Sequence, residues 1–356
     1  MNPGSASLRP ARLEPIFSPR PWGARTLAPL FPEKSNLAEP LGEAWMTGVG
    51  CRFASGPFAG QKLGDVWSTL PTTWTGTKIG GTDGSFPLLV KFIFADEKLS
   101  VQVHPDDDYA ARHEKAAGGR GKTEMWYAIH ARPGAEVLAG LKPGVTPEIF
   151  KRAIEDGSAE NCLQHVPLGA GEAIFVPAGT AHTIGAGLVL CEVQEYSDLT
   201  YRVFDYNRRD AQGRSRELHI EKALQVMRFG KQHGGKIEPV RITRDGVTET
   251  YFIACRFFAV EKWEFAASIA ADTVPEHFDL LVFLEGRGSI QWGGESVDYA
   301  PAQTWLLPAA FGSYHLASRE RTSLLRAYVP ASLDEFARKL AAQGVSEAEL
   351  SRVVYP

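Results

Sequence analysis

Residue types that donate nitrogen or oxygen to a metal recur in this chain at spacings that a β-strand can use. In "LSVQVHPDDDYA", Gln102 and His104 stand two apart, so an extended backbone points an amide and an imidazole from one face. In "GKTEMWYAIHARPG", Lys122 and Glu124 repeat the spacing with an ammonium and a carboxylate. In "GEAIFVPAGTAHTIG", an apolar run passes through a Pro-Gly turn and returns with His182. Taken singly, each has an ordinary explanation: solvated side chains on an edge strand, a surface ion pair, a satisfied histidine. Taken together, Gln102, His104, Glu124 and His182 offer an amide oxygen, two imidazoles and a carboxylate, an N/O set suited to a divalent transition metal. The neutral amide favours a metal used as a Lewis acid over one cycled through oxygen chemistry.

Such residues need rigid strands to aim them, and the chain is rich in short β-type runs: "PLLVKFIFA", "LSVQVHP", "EMWYAIHA", "AEVLAGL", "EAIFVPA", "LVLCEVQEY" and "TYRVFDY". Close spacing with Gly and Pro between them predicts an antiparallel sandwich or barrel and not βαβ units. Helices are the minority. "TPEIFKRAIEDGS" reads as one, with Thr146 as N-cap and Pro147 at the first helical position. Ser332 with Glu335, and Ser346 with Glu349, carry the S-x-x-E capping pattern and predict two short helices near the C-terminus. The polar stretch "RFGKQHGGKIEPVRITRDGVTE" separates two β-rich halves, which places a boundary near residue 235 and two domains at 1–235 and 236–356.

The 356 residues are 44% hydrophobic, enough for one large or two medium cores. A net charge of −4 with scattered Lys and Arg leaves no basic stripe, so nucleic acid is not an expected partner. No run approaches the roughly 18 apolar residues of a membrane span, and "MNPGSASLRPARLEPIF" lacks the apolar core of a signal peptide. A cytoplasmic location is expected, with no membrane partner. Cys51, Cys162, Cys191 and Cys255 form no C-x-x-C pair and read as reduced, small apolar residues.

The stretch through His182 follows G-x5-P-x-G-x2-H on Gly171, Pro177, Gly179 and His182, and resembles the second motif of the cupins, which are double-sheet jelly rolls. The resemblance implies a mainly β chain of two cupin-type jelly rolls, a bicupin, with a few short helices. "SPRPWGARTL", "GEAWMTG", "FPLLVKFIFADEKLSVQVHPDDDYA", "GKTEMWYAIHARPGAEVLAGL", "VPAGTAHTIG" and "EVQEYSDLTYRVFDYNR" are together similar to the type I mannose-6-phosphate isomerases, zinc-dependent cupins, and above all to their short bacterial form. That resemblance covers most of the first 210 residues. It implies one zinc per chain on Gln102, His104, Glu124 and His182, and an essential arginine at Arg202, ten residues after Glu192. It implies interconversion of mannose 6-phosphate and fructose 6-phosphate, a small sugar phosphate as partner, and a monomer or dimer.

Elementary chemistry agrees with those assignments. Isomerising an opened aldose moves a proton from C2 to C1 through a cis-enediol whose oxygens gather negative charge. A bound metal and Arg202 can stabilise that charge, and Lys122 can assist as a donor. Glu192, or a water at the metal, suits the base better than His104, whose lone pair a metal would occupy. No Gly-rich phosphate cradle is visible, and Arg208 is the candidate for the phosphate. Rival readings are a non-catalytic sugar-binding or regulatory bicupin, an iron-dependent cupin oxygenase and an isomerase of another hexose phosphate. In the second half, laying Pro308 on Pro177 puts Ser313 where His182 stands, and laying Gly288 on Gly134 puts Phe278 where Glu124 stands. That half is expected to be metal-free, with His315 on the surface or in packing.

Overall fold

The structure, a computed structural model, describes residues 7–78, 84–209, 212–230 and 234–356; residues 231–233 of the linker stretch lie outside them. The chain is mainly β, as expected, and its large sheets stack. A seven-stranded sheet runs in the order Gly235–Lys236, Ala173–Val176, Glu124–Ala131, Leu188–Glu195, Leu88–Ala95, Leu41–Trp45, Ile16–Ala24. A five-stranded sheet runs Tyr201–Phe204, Val101–Val103, His182–Ile184, Glu136–Leu141, Leu163–Pro167. Side chains of both meet in one core, including Ile93, Trp126 and Leu190 from the larger sheet with Val137 and Ile184 from the smaller, and this closes the first jelly roll. The second is built the same way, an eight-stranded sheet containing Asp279–Glu285, Thr322–Tyr328 and Ala259–Phe265 over a four-stranded one containing Ser313–Ser318.

The two large sheets also share a core on their other faces, where Phe92, Met125 and Val193 meet Leu280, Leu306 and Leu325. That double burial explains the sequence "LLVKFIFA": every residue of the strand Leu88–Ala95 is buried, so apolar side chains serve both faces. Lys91, 2% exposed, is the exception, and alternation aims it with Ile93 into the first barrel. The first strand, Ala11–Leu13, pairs with Thr304–Leu307 of the second jelly roll and ties the N-terminal segment across the molecule.

Helices form where caps allow. Thr146 accepts from Ile149 N at 3.3 Å and opens Pro147–Glu155. Ser346 makes the full capping box with Glu349, whereas Ser332 makes only its own half with Glu335 N. The aspartates after Pro105 form a further helix, Asp107–His113, capped by the Asp106 side chain on Tyr109 N at 2.9 Å. Four cysteines are buried and unbonded to one another. Among the described residues no helix is long and apolar enough to cross a membrane.

Strand pairing corrects one overlay. Glu124 pairs with Val176, just before Pro177, and Asp279 pairs with Leu307, just before Pro308, so Asp279 and not Phe278 is the counterpart of Glu124. Matching the two glycines misled because the hairpin turns differ in length, residues 132–135 against 286 and 287. Phe278 faces the shared core instead, edge-on to Trp67 at 4.9 Å. Ser313 is exposed and bonded to Asp272, and His315 is exposed.

Candidate metal centre and active-site cavity

Cross-strand register assembles the site from two ladders on the facing walls of the first barrel. On the smaller sheet, Gln102 pairs with His182 on one side and Arg202 on the other, so the three side chains stand abreast on one face. On the larger sheet, Glu192 pairs with Lys91 and with Trp126. Glu124 opens its strand and faces the same interior as Trp126, two residues on. His104 follows its strand, where its carbonyl accepts from Gly179 N at 2.8 Å and fastens the turn that delivers His182. Gly179 has φ +83° there, and an added Cβ would lie 2.7 Å from Arg228 Cγ and 2.9 Å from Val226 O.

His104 Nδ1 donates to Leu199 O at 2.8 Å and His182 Nδ1 donates to Thr180 O at 2.9 Å. Each imidazole therefore turns a bare Nε2 lone pair inward, 3.4 and 3.3 Å from Glu124 Oε1. His104 Nε2 and Glu124 Oε1 are buried with no hydrogen-bond partner. An ion about 2.1 Å from each atom of a tetrahedral set would separate them by about 3.4 Å, so these spacings fit a shared metal. Among the described residues this is the one group of three or more His, Cys, Asp and Glu side chains that could hold an ion. The Gln102 amide lies 3.2 Å from His182 Nε2, and either end of that near-symmetric group can be turned to the point.

Protonation favours the same use. Burial pushes His104 well below its ordinary pKa, helped by the Lys122 and His182 charges, and burial pushes His182 down as well. Burial alone would raise Glu124, but the Lys122 ammonium, 2.9 Å from Oε2, together with Glu192 and His182 outweighs it and holds the carboxyl at about 2. Two neutral imidazoles and an ionised carboxylate are the forms that ligate.

A cavity of about 710 Å³ opens beside this cluster, lined among others by Gln102, Lys122, Trp126, Glu192 and Arg202. Lys122 Nζ bridges Glu124 and Glu192, lying 3.2 Å from Glu192 Oε1. Burial raises the Glu192 pKa, with Lys122 opposing and Glu124 reinforcing the rise. Among the described residues the ion-pair partners of Glu192 are Lys122 and, at 4.0 Å, Lys91; Arg202 pairs instead with neutral acceptors, Ser100 Oγ at 3.3 Å and Glu217 O at 3.0 Å. Arg208 does not line the cavity: it is tied to Asp205 Oδ1 at 2.7 Å and to Lys98 O at 2.7 Å. Sequence reasoning missed Lys91 and its partner Asp198, 2.7 Å apart, although a lone lysine inside an apolar run was a readable signal. It also missed Arg20, Arg216 and His219, which line the cavity from segments with no strand periodicity.

Residues 11–130 match the family described as phosphomannose isomerase type I, catalytic domain, and residues 248–329 match the mannose-6-phosphate isomerase cupin domain. The chain is 36% identical over 311 residues to the probable mannose-6-phosphate isomerase GmuF of Bacillus subtilis, covering 86% of this chain and 95% of that protein. The chain belongs to the type I phosphomannose isomerases. It is therefore an aldose–ketose isomerase by family. This isomerase is also 34% identical to the mannose-6-phosphate isomerase of Streptococcus mutans, over 82% of its own length and 90% of the relative's. The solved mannose 6-phosphate isomerase of Bacillus subtilis superposes with a TM-score of 0.80 at 29% identity, covering 89% of this chain and 99% of that one.

Proposed function

We propose that this isomerase interconverts mannose 6-phosphate and fructose 6-phosphate through a cis-enediol, with one zinc held by Gln102, His104, Glu124 and His182. The observation that carries the reading is the pair of inward, partnerless Nε2 and carboxylate lone pairs beside a buried lysine, glutamate and arginine. A zinc ion there would supply Lewis acidity toward the sugar oxygens. Glu192 takes the C2 proton and returns it to C1, its raised affinity for a proton suiting it to both halves of the transfer. Lys122 donates toward the sugar oxygens while holding Glu192 in place. Arg202, with no carboxylate partner among the described residues, stabilises the enediolate charge. Residues 1–235 form the catalytic domain in this scheme, and residues 236–356 the metal-free one.

A coupled assay of mannose 6-phosphate conversion, run before and after chelation and again after zinc is restored, tests the reading. Activity that disappears on chelation and returns with zinc is expected; turnover by protein free of any divalent ion would overturn it. Gln102→Ala, His104→Ala, Glu124→Ala and His182→Ala should each lower zinc content in metal analysis, while Ser313→Ala should not. Equal retention in all five would remove the ligand assignment.

A further inference from the structure

The motif "SPRPWG" is left without a role by the chemistry above, yet the fold handles it unusually. In the strand Ile16–Ala24, Pro19 and Ala24 both face Leu41 across the ladder, so residues 20–23 leave the sheet as a bulge. The bulge carries Arg20, Pro21 and Trp22 to the cavity wall. Gly42 makes room for it, since a Cβ there would lie 2.5 Å from Arg20 Cβ and 2.6 Å from Trp22 Cζ3. Glu43 fixes the guanidinium, accepting from Arg20 Nη2 at 2.8 Å while Trp45 Nε1 holds the same oxygen at 2.7 Å.

Arg20 arrives where positive charge is already in excess. Arg202 and Arg216 line the same cavity, and among the described residues Arg202 has only neutral acceptors. Burial lowers the Arg202 pKa, and the neighbouring Arg216, Arg208 and Arg20 charges lower it further, with Asp205 opposing. Converging guanidinium groups repel one another, and an anion between them removes that cost. Arg216 is held by Asp205, Nε to Oδ2 at 2.7 Å, as Arg20 is held by Glu43. His219 adds an imidazole whose Nδ1 accepts from Arg202 N at 3.3 Å, so its protonated nitrogen is Nε2.

We propose that Arg20, delivered by the bulge and fixed by Glu43, is the specificity residue for the substrate's phosphate, which it seats together with Arg216 and His219. The inference rests on the isomerase reading. Planar guanidinium groups held by carboxylates match phosphate oxygens in pairs, and the bulge makes the cavity one for a sugar phosphate and not for a free sugar. Glu43 is a positioning residue.

The test uses the zinc-loaded full chain, with inorganic phosphate as a probe whose binding does not depend on turnover. Arg20→Met should weaken phosphate binding in calorimetry and raise KM for mannose 6-phosphate by about 10- to 100-fold, with kcat within a few-fold of wild type. Gly42→Ala, which displaces the bulge while keeping Arg20, should shift KM in the same direction, and Arg20→Lys should recover part of the loss. Unaltered phosphate affinity and KM in Arg20→Met overturns the seat. If wild type fails to isomerise mannose 6-phosphate but its phosphate binding still falls in Arg20→Met, the seat stands and the isomerase reading falls. Should Arg20→Met unfold, the Arg20→Lys and Gly42→Ala titrations decide on the same terms.

Discussion

Arg202→Ala is expected to bind substrate and zinc nearly as wild type but to turn over about 10² to 10³ times more slowly. The guanidinium faces the cavity beside Gln102 in the strand ladder, and its hydrogen bonds go to a hydroxyl and a carbonyl, not to a carboxylate. Its charge is therefore not neutralised before the reaction begins. It becomes useful when the enediolate forms, and an interaction stronger in the transition state than in the ground state acts on kcat and not on KM. Arg202→Lys should recover only part of the rate, because a compact ammonium cannot reproduce the planar fork. Zinc content should not change, since the ligand set excludes Arg202. A variant with normal kcat and raised KM would make Arg202 a substrate anchor, and Lys122 would then carry the charge stabilisation. A variant that loses zinc or unfolds would make it structural.

The strands around this arginine were legible because their side chains obey the two-residue period that burial imposes. Gln102 and His182 lie on neighbouring strands, so recognising each strand placed each candidate ligand. Lys91 was hidden by the same rule: a strand covered on both faces reads as one apolar run, and its single cation was absorbed into the pattern. Arg20, Arg216 and His219 sit on a bulge and on irregular chain, where no period reports direction, and what holds them is distant in sequence. Arg208 is close to Arg202 in sequence, but the intervening turn, with Tyr206 and Asn207 at positive φ, swings it onto Asp205. The helix Asp107–His113, capped by Asp106 with Asp107 and Asp108 in its first turn, buries Ala110 and so carries no apolar period to announce it.

The corrected register of the second barrel turns an apparent loss into an exchange of charge. Asp279 stands where Glu124 does. One strand over, Arg326 pairs with Leu281 and Glu261 just as Glu192 pairs with Trp126 and Lys91. Where the first barrel has lysine and glutamate, the second has glutamate and arginine. The set is ion-paired within itself: Arg326 Nη1 lies 2.7 Å from Glu261 Oε1 and Nη2 lies 2.9 Å from Asp279 Oδ2, with the guanidinium 4.8 Å from the Tyr328 ring. A cation so placed occupies the carboxylates that a metal would need, which supports a metal-free role for this half.

Arg326→Met should consequently destabilise the protein by about 3–5 kcal/mol, because it leaves two buried carboxylates without their cation. Burial would raise the Asp279 pKa, but Arg326 and His277 hold it below its ordinary value, so in wild type this group contributes stability above the usual carboxylate range. That contribution is lost as pH falls through the lowered folded-state pKa. In the variant the cation is gone, burial dominates, and the carboxyl prefers to be protonated, so acidification should cost the variant less than wild type. The gap between the two denaturant midpoints should therefore narrow as pH is lowered from 7 toward the ordinary carboxylate pKa, about 4. Combining Glu261→Met, Asp279→Leu and Arg326→Met should restore most of the stability, since an apolar set of similar volume has no charge to desolvate. The triple variant should also keep wild-type turnover, as none of its positions lines the catalytic cavity. An Arg326→Met protein within about 1 kcal/mol of wild type, or a gap that widens on acidification, would show that the buried carboxylates are not held by this arginine.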